Sequence, residues 1–370
     1  MSPAAREVAR LTRAHEAWQR PFFRPVEAAL REKRRRMARD PVAFLRGAAH
    51  LWPAQARAAG LPEEPRLLTT CDLHIENFGT WRDAEGRQVW GINDLDEASE
   101  GPFGTDLLRL AASALLEEER KPGRLGSDPI GHILAGYRER IGEGRPRPFV
   151  LEDRHPVLRD LAALDGAGSA AWWRKLDRDK AIRPEPVPQA ARDLLLSLLP
   201  PGAVPHRIGP REAGLGSRER PRFAAIAEWN GGWIAREIKA AAPSALRTGE
   251  AGLDPLADHI RLDALARAVR DPFLRLTGGW IGRRLSPESD KIELDRLEAD
   301  RDHPEAILTA MGGETANLHL IAAGPDLPRT ALATLGEGDD RLREAAAAAA
   351  RAVRQDHAAF REALDEGLLD

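Results

Sequence analysis

Two groups of carboxylate and amide side chains lie close together within residues 67–97. Between them, β-forming residues flank the turn sequence DAEG, which predicts a hairpin. Taken singly, each of these side chains is more often a turn or cap residue than a catalyst, but so dense a cluster favours a functional site. The groups are Asp72, His74, Glu76 and Asn77 before the hairpin, and Asn93, Asp94, Asp96 and Glu97 after it.

The types and spacing of three of these residues suit phosphoryl transfer. Asp72 and Asn77 have the D-x-x-x-x-N spacing of a kinase catalytic loop, in which the aspartate accepts the proton of an attacking hydroxyl and the asparagine reaches a Mg²⁺ ion. Asp94 would supply a second carboxylate, and Mg²⁺ takes one or two protein carboxylates while it keeps several waters. We therefore predict Asp72 as the catalytic base, Asn77 and Asp94 as Mg²⁺ ligands, and ATP as the phosphoryl donor. His74 and Asp96 are candidate supporting residues.

Two other chemistries would use the same stretch. His74, together with Asp72 and Asp94, could form a metal-dependent hydrolase site, although the H-x-x-x-H and H-E-x-x-H patterns are absent. Cys71 could act as a nucleophile if a neighbouring base lowered its pKa, but a buried, inert thiol is the simpler expectation. Both are weaker than the phosphotransferase interpretation.

A second region has the features of a phosphate cover. Gly214 and Gly216 precede a predicted strand, Ser217 follows them, and Lys239 ends the next predicted strand. Glycine lets backbone amides approach a phosphate closely, and a strand-end lysine can pair with it. We predict that these four residues bind the nucleotide. A Walker motif is absent, which disfavours a P-loop enzyme.

Arginines and acids near these motifs extend the candidate site. Arg46 and Arg109 are candidates for contact with a phosphate or an acidic substrate, because a guanidinium recognises such groups bidentately. Structural ion pairs are an equally good explanation for both. By position, Glu250 and Asp263 are the candidate acidic partners of the lysine.

The motifs carry a family resemblance. The segments RRRMARDPVAFLRG, CDLHIENFG, INDLDE and GPFGTDLLRLAAS resemble those of the bacterial family known as domain of unknown function 2252, along most of the chain. More distantly, the second and third resemble the HGDxHxxN and IDxxD signatures of aminoglycoside and choline kinases. This resemblance implies the roles given above for Asp72, Asn77 and Asp94, and implies that Asp106 steadies the catalytic loop. Cys71 stands where a glycine is usual, which puts the tightness of that turn in question.

The order of the motifs departs from that of ordinary kinases, because Gly214 and Lys239 come after Asp94. Circular permutation explains such an order, since the same contacts then form with different connections. The later segment GGWIGRRLSPES resembles an interlobe hinge strand, and GGETANLHLIAA resembles the helix that precedes the catalytic loop in small-molecule kinases. We therefore expect a two-lobed, protein-kinase-like fold that is circularly permuted.

The elements that must position these residues form an α+β chain, mostly helical with a small antiparallel sheet. Helical spacing over residues 4–58 is interrupted at Pro21, Pro25 and Pro41. Thr105 is predicted as the N-cap of the next helix, and no strand is predicted from there to residue 199. The predicted segments are an N-terminal helical segment, 1–65; a C-lobe-like part with the catalytic loop and metal-binding hairpin, 66–200; an N-lobe-like β-containing part with the glycine loop and hinge, 201–300; and C-terminal helices packing on the C-lobe, 301–370.

Composition limits the partners and the compartment. The net charge of −3 gives no overall positive field for nucleic acid or an anionic membrane, and one cysteine excludes an internal disulfide. No run of about 18 apolar residues is present, and the first residues lack the apolar core of a signal peptide. We expect a bacterial, cytoplasmic phosphotransferase acting on a small-molecule hydroxyl. Alternatives are a nucleotidyl transferase using the same site and a non-catalytic nucleotide-binding regulator.

Overall fold

The protein is described from a computed structural model that covers residues 1–152, 154–163, 166–178, 186–265, 270–289, 294, 297, 303–326, 328–330 and 340–369. Helices make up 50% and strands 16% of the described residues, which confirms the predicted mixture of helix and sheet. The α-helices are α1 (Pro3–Gln19), α2 (Glu27–Met37), α3 (Pro41–Gly47), α4 (Trp52–Ala58), α5 (Thr105–Arg120), α6 (Pro129–Glu143), α7 (Pro156–Ala162), α8 (Gly166–Arg178), α9 (Gln189–Ser197), α10 (Ala257–Leu265), α11 (His303–Ala323) and α12 (Asp340–Asp365).

In the part of the chain that the structure describes, three antiparallel sheets accompany these helices. A two-stranded sheet pairs β1 with β4, a three-stranded sheet has the order β2-β3-β5, and a five-stranded sheet has the order β6-β7-β8-β10-β9. The strands are β1 (Arg66–Thr69), β2 (Phe78–Arg82), β3 (Gln88–Ile92), β4 (Ser99–Pro102), β5 (Phe149–Val150), β6 (Val204–Pro210), β7 (Arg222–Trp229), β8 (Gly232–Ala240), β9 (Arg275–Thr277) and β10 (Trp280–Leu285).

Local sequence signals explain most of these boundaries. Pro41 occupies the first turn of α3, and the Asp40 carboxylate caps this helix by accepting a hydrogen bond from the Ala43 amide at 2.8 Å. The predicted N-cap role of Thr105 is wrong: α5 begins at this residue, and its hydroxyl accepts a hydrogen bond from the Trp52 indole at 3.0 Å. Strand β5 was not predicted, because two residues are too few to produce an alternating pattern.

A single large apolar core joins the helical part of the chain, from Ala5 in α1 to Leu369 after α12, and includes β1 and the β2–β3 hairpin. The five-stranded sheet has smaller apolar clusters of its own, one with α8 and another with α9. The sheet and the helical part are therefore packed around separate cores. The four-segment division of the chain stays a prediction.

Helix α11 runs through the centre of the helical part and lies very close to α6. A Cβ atom on Gly136 would lie 1.8 Å from the Thr309 carbonyl oxygen, and one on Gly312 would lie 1.8 Å from the Ile133 carbonyl oxygen. Only glycine permits this approach, because any side chain at either position would collide with backbone. The close crossing sets the depth at which α11 presents His319 to Asp106 of α5 and Glu314 to the cavity described below.

Across the part of the chain that the structure describes, none of the helices combines the length and the apolar character needed to span a bilayer.

Candidate functional site

The loop that carries Asp72 is anchored by a buried carboxylate. Asp106, at the start of α5, accepts hydrogen bonds from the Thr70 amide at 3.0 Å, the Thr70 hydroxyl at 2.7 Å and the Cys71 amide at 3.0 Å. The Nε2 atom of His319, on α11, lies 3.4 Å from the same carboxylate, and Asp106 and His319 are both fully buried. The backbone that enters the loop is thus fixed by Asp106 of α5, and His319 of α11 supports this carboxylate.

Cys71 adopts the left-handed backbone conformation, with φ of 61°. A non-glycine residue is uncommon there, and the conformation is the one that a glycine would adopt without strain. The turn is therefore tight although a cysteine occupies this position. Burial raises the pKa of the Cys71 thiol well above its ordinary value, and the nearby Asp106 carboxylate raises it further, so the thiol is not an activated nucleophile.

Asp72 forms an ion pair with Arg109, a completely buried arginine on α5. The same guanidinium group donates a hydrogen bond to the Leu45 carbonyl at 2.7 Å and lies over the face of Trp52. Burial raises the pKa of Asp72, although the guanidinium opposes this effect. Arg109 holds Oδ1 of Asp72. The Asp72 side chain is still 19% exposed and lines the cavity described below.

The β2–β3 hairpin brings the two acidic groups together. Asn77 immediately precedes β2, and its amide nitrogen donates to the carbonyl oxygens of Asp72, at 3.4 Å, and Asp94, at 3.3 Å. This use of the nitrogen leaves the amide oxygen as the atom for a cation. Asp94 follows β3, and its side chain remains 44% exposed. An exposed carboxylate beside an amide oxygen suits a hydrated Mg²⁺ ion, which takes few protein ligands.

Lys239, near the end of β8, lies beside the Asp94 carboxylate, although the two residues are far apart in the sequence. Its Nζ atom is 3.9 Å from Oδ1 of Asp94 and forms a short ion pair with Asp96. The acidic partner is therefore Asp96, and the candidates named from position were wrong. Glu250 pairs with Arg247 at 2.7 Å, and Asp263 pairs with Arg270 at 2.9 Å.

This pairing fixes the protonation of the carboxylate that holds the lysine. Burial alone would raise the pKa of Asp96, but the charges of Lys239 and Arg220 outweigh it and hold this pKa far below its ordinary value. Asp96 therefore stays ionised, and Lys239 has a permanent acidic partner in the folded protein.

The loop that contains Gly214 and Gly216 packs against Asp72 and the end of α3. A Cβ atom on Gly216 would stand 3.0 Å from the Arg46 carbonyl oxygen and 3.9 Å from Oδ2 of Asp72. Lys33, on α2, holds the loop in place by donating a 2.5 Å hydrogen bond to the Gly216 carbonyl. Gly214 has φ of 72°, which favours glycine. The Ser217 hydroxyl accepts a hydrogen bond from Arg222 at 3.2 Å.

These residues surround one cavity of about 420 Å³. Its walls come from the loop before β2, the turn after β3, the glycine-containing loop, the cavity face of the five-stranded sheet and α11. The predicted site residues on its lining are Arg46, Asp72, His74, Asn77, Asp94, Asp96, Gly214, Gly216, Ser217 and Lys239. Asp106 lies behind the lining and supports it.

Two candidate residues, His74 and Arg46, both contact Glu76. His74 accepts a hydrogen bond from the Glu76 amide at 3.1 Å, and Arg46 forms a 2.6 Å ion pair with Glu76. Within the described ranges, no three His, Cys, Asp or Glu side chains are grouped so that they could hold a metal ion. The donor set therefore does not favour a hydrolase site built on His74, Asp72 and Asp94.

Several residues that line the cavity, and the buried Glu237 behind its lining, were not predicted. Arg220, Arg222, Glu237 and Arg283 form charged clusters on or beside the five-stranded sheet, and Glu314 reaches the cavity from α11. Burial raises the pKa of Glu314 to about 7. Glu237 and Lys239, two residues apart on β8, were the available signal, but the strand register needed to group Glu237 with arginines of other strands cannot be obtained from the sequence.

Comparison with known proteins bears on the first part of the chain. No curated protein and no solved structure matches the sequence. One segment, residues 24–165, matches a family model. It contains the acidic loop, the hairpin, Asp94 and Asp106, whereas the glycine-containing loop and Lys239 lie outside it. Residues 24–165 match the family described as "Uncharacterized protein conserved in bacteria (DUF2252)", which confirms over this segment the family resemblance that the motifs predict.

Proposed function

We propose that the protein is an ATP- and Mg²⁺-dependent phosphotransferase that acts on the hydroxyl group of a small molecule. One observation carries the proposal: Nζ of Lys239 lies 3.9 Å from Oδ1 of Asp94, although the two residues belong to distant parts of the sequence. A phosphoryl-transfer site needs a lysine and a metal-binding carboxylate within reach of one triphosphate. A separation of several side-chain lengths would have excluded the assignment.

The donor would lie between the sheet and the hairpin. Asp94 and the amide oxygen of Asn77 would hold Mg²⁺, which when bound neutralises charge on the phosphate oxygens. Lys239, kept in place by Asp96, would contact the phosphates from the sheet. The loop of Gly214, which precedes β7, would cover them with its backbone amides.

The acceptor hydroxyl would lie beside Asp72. This carboxylate is fixed on one side by Arg109, and Asp106 fixes the backbone that precedes it. Such anchoring suits a residue whose task is to orient a hydroxyl and accept its proton, because a shift of about 1 Å can lower the rate about 100-fold. A Cβ atom on Gly216 would lie 3.9 Å from Oδ2 of Asp72, so the proposed phosphate cover would lie directly next to the proposed base.

The proposal includes a circularly permuted kinase-like arrangement. The five-stranded sheet with its glycine-containing loop and lysine follows the catalytic loop in the chain, and α11 comes later still. Contact between His319 of α11 and Asp106 supports the expected role of this helix beneath the catalytic loop. A circularly permuted chain would need these contacts to form the same kinase-like arrangement with different connections.

A non-catalytic nucleotide-binding role is the second candidate. The ion pair between Asp72 and the buried Arg109 favours it, because a base that is already neutralised by a guanidinium accepts a proton less readily. Nucleotidyl transfer would use the same residues with the donor turned so that the α-phosphate is attacked.

The variant Asp72→Asn separates these roles, because it removes a base without removing a phosphate contact. ATP affinity would be measured by calorimetry with Mg²⁺, and turnover as ADP formed in the presence of pooled sugars, amino alcohols and nucleosides. We expect ATP affinity to be nearly unchanged and turnover to fall about 100-fold or more. The exposed Asp193→Asn on α9 is the matched control.

The products and the variants decide between the candidates. AMP and diphosphate in place of ADP would indicate nucleotidyl transfer. ATP binding without turnover in the wild type would favour the regulatory role, and equal turnover in wild type and Asp72→Asn would contradict the assignment of the base.

A further inference from the structure

Three arginines share one buried carboxylate on the cavity face of the five-stranded sheet. Glu237, on β8, is fully buried and forms ion pairs with Arg211, with Arg222 at 3.0 Å and with Arg283 at 2.9 Å. Burial alone would raise the pKa of Glu237, but the three guanidinium groups outweigh burial and keep it ionised. We call Arg211, Arg222, Arg283 and Glu237 the guanidinium cluster.

This cluster carries two more positive charges than negative ones. The neighbouring cations do not change this balance, because Lys239 is paired with Asp96, and Arg220 with Glu97 at 2.7 Å. Like charges held together in a desolvated site repel one another, and a buried cation is stabilised only when an anion accompanies it. The excess charge therefore favours an anionic ligand.

Buried donors without acceptors point the same way. Arg220 lines the cavity and is 2% exposed, yet its Nε and Nη1 atoms have no hydrogen-bond acceptor among the described residues, and Nη1 has only a long ion pair of 3.8 Å with Asp96. The Nε atom of Arg211 is also buried, and no residue that the structure describes accepts a hydrogen bond from it. A buried donor with no partner costs stability, so these atoms are expected to meet an acceptor supplied by a ligand.

Strand register places the cluster next to the proposed phosphate site. Arg222 on β7 is directly opposite Lys239 on β8, and Arg283 on β10 is directly opposite Glu237. Residues two apart on a strand face the same side, so Glu237 lies on the same side of the sheet as Lys239 and is buried behind the cavity lining. Arg222 also donates to the hydroxyl of Ser217 in the glycine-containing loop. A single extended anion could therefore contact both the guanidinium cluster and Lys239.

We propose that the guanidinium cluster, together with Arg220, is a binding site for the phosphate chain of the donor, so that the protein selects a polyphosphate through several arginines as well as through one lysine and a metal. Guanidinium groups suit this task because they bind phosphate oxygens bidentately. The inference rests on the proposed function, since it extends the site at which the donor would bind. Inorganic triphosphate carries the same chemistry without a base or a sugar.

The test is the binding of inorganic triphosphate in the absence of Mg²⁺, measured by calorimetry. The proteins compared are the wild type, Arg222→Gln, Arg283→Gln and the control Arg192→Gln, which changes an exposed arginine on α9. We expect the wild type and the control to bind equally, and each cluster variant to bind about tenfold more weakly or worse, because a charge-assisted hydrogen bond is lost. Arg283 is 34% exposed, so Arg283→Gln remains informative if Arg222→Gln does not fold.

The outcomes separate this inference from the proposed function. No binding of triphosphate to the wild type, or equal binding to the cluster variants, would overturn the inference even if ATP binds with Mg²⁺ at Asp94. Triphosphate should compete with ATP, whereas simultaneous binding of both would show that the cluster does not hold the donor's chain. Asp94→Ala should bind metal-free triphosphate at least as well as the wild type, because a negative charge is removed. Triphosphate binding without any binding of ATP would instead leave the anion site standing and remove the proposed function.

Discussion

Removal of the Asp106 carboxylate tests whether the loop before Asp72 is held as the structure indicates. Three donors converge on this carboxylate: the amide and hydroxyl of Thr70, and the amide of Cys71. All of these groups are buried, so no water replaces the lost acceptor at once. Asp106→Ala would therefore leave three donors unsatisfied in the interior.

The size of the effect follows from these three bonds. A hydrogen bond to a charged acceptor contributes about 1.5–3 kcal/mol, and a buried donor left unsatisfied costs about 1–3 kcal/mol. Because the three bonds share one loop and their effects are not additive, we expect the free energy of unfolding to fall by about 4 kcal/mol in Asp106→Ala. Thr70→Val removes only the hydroxyl donor and should cost about 1–2 kcal/mol.

The assay is urea denaturation of the wild type, the two single variants and the double variant. In the Asp106→Ala background, Thr70→Val should cost almost nothing, because its acceptor is already absent; the coupling energy would then be about 1 kcal/mol or more. The exposed Asp193→Ala serves as the control. A loss below about 1 kcal/mol in Asp106→Ala, or additive effects of the two substitutions, would refute the anchoring of the loop.

Two further predictions concern pH and backbone strain. Burial raises the pKa of Glu314 from 4.5 to about 7, so the folded protein keeps a proton that the unfolded chain has lost; the resulting stability is fully present below pH 4.5 and is lost as pH rises through 7. This contribution to the free energy of unfolding amounts to at most about 3 kcal/mol. Urea titration of Glu314→Gln from pH 4.5 to 8 should show that the free energy of unfolding no longer falls with pH in this way. A fall as steep as that of the wild type would contradict the assignment to Glu314. Because φ of Cys71 is 61°, Cys71→Gly should be about 1 kcal/mol more stable than Cys71→Ala, and a more stable alanine variant would show that the turn is not left-handed.

The parts of the fold that depend on local chemistry could be predicted from the sequence. Prolines mark the breaks between the first helices, and turn residues between β-forming runs predict both the β2–β3 and the β7–β8 hairpins. The spacing of Asp72, Asn77 and Asp94 is likewise local, because a single hairpin separates the two groups. For these elements a few neighbouring residues determine the conformation.

The parts that depend on distant pairing could not be predicted. The partner of Lys239 is Asp96, which is far away in the sequence, and no local pattern distinguishes it from Glu250 or Asp263. The sharing of Glu237 by three arginines depends on the register of β7, β8 and β10. Register is fixed by packing of whole strands, so charged residues that look like an exposed face in the sequence become a buried cluster in the fold.

The central claim is that a nucleotide binds with a metal at Asp94 beside Lys239. The most direct measurement is calorimetry of ATP with and without Mg²⁺ on the wild type and on Asp94→Ala. The proposed site predicts ATP binding that is strengthened by Mg²⁺ in the wild type and loses this strengthening in the variant. Absence of ATP binding under every condition, or binding that Mg²⁺ strengthens equally in both proteins, would contradict the placement of the nucleotide at this site.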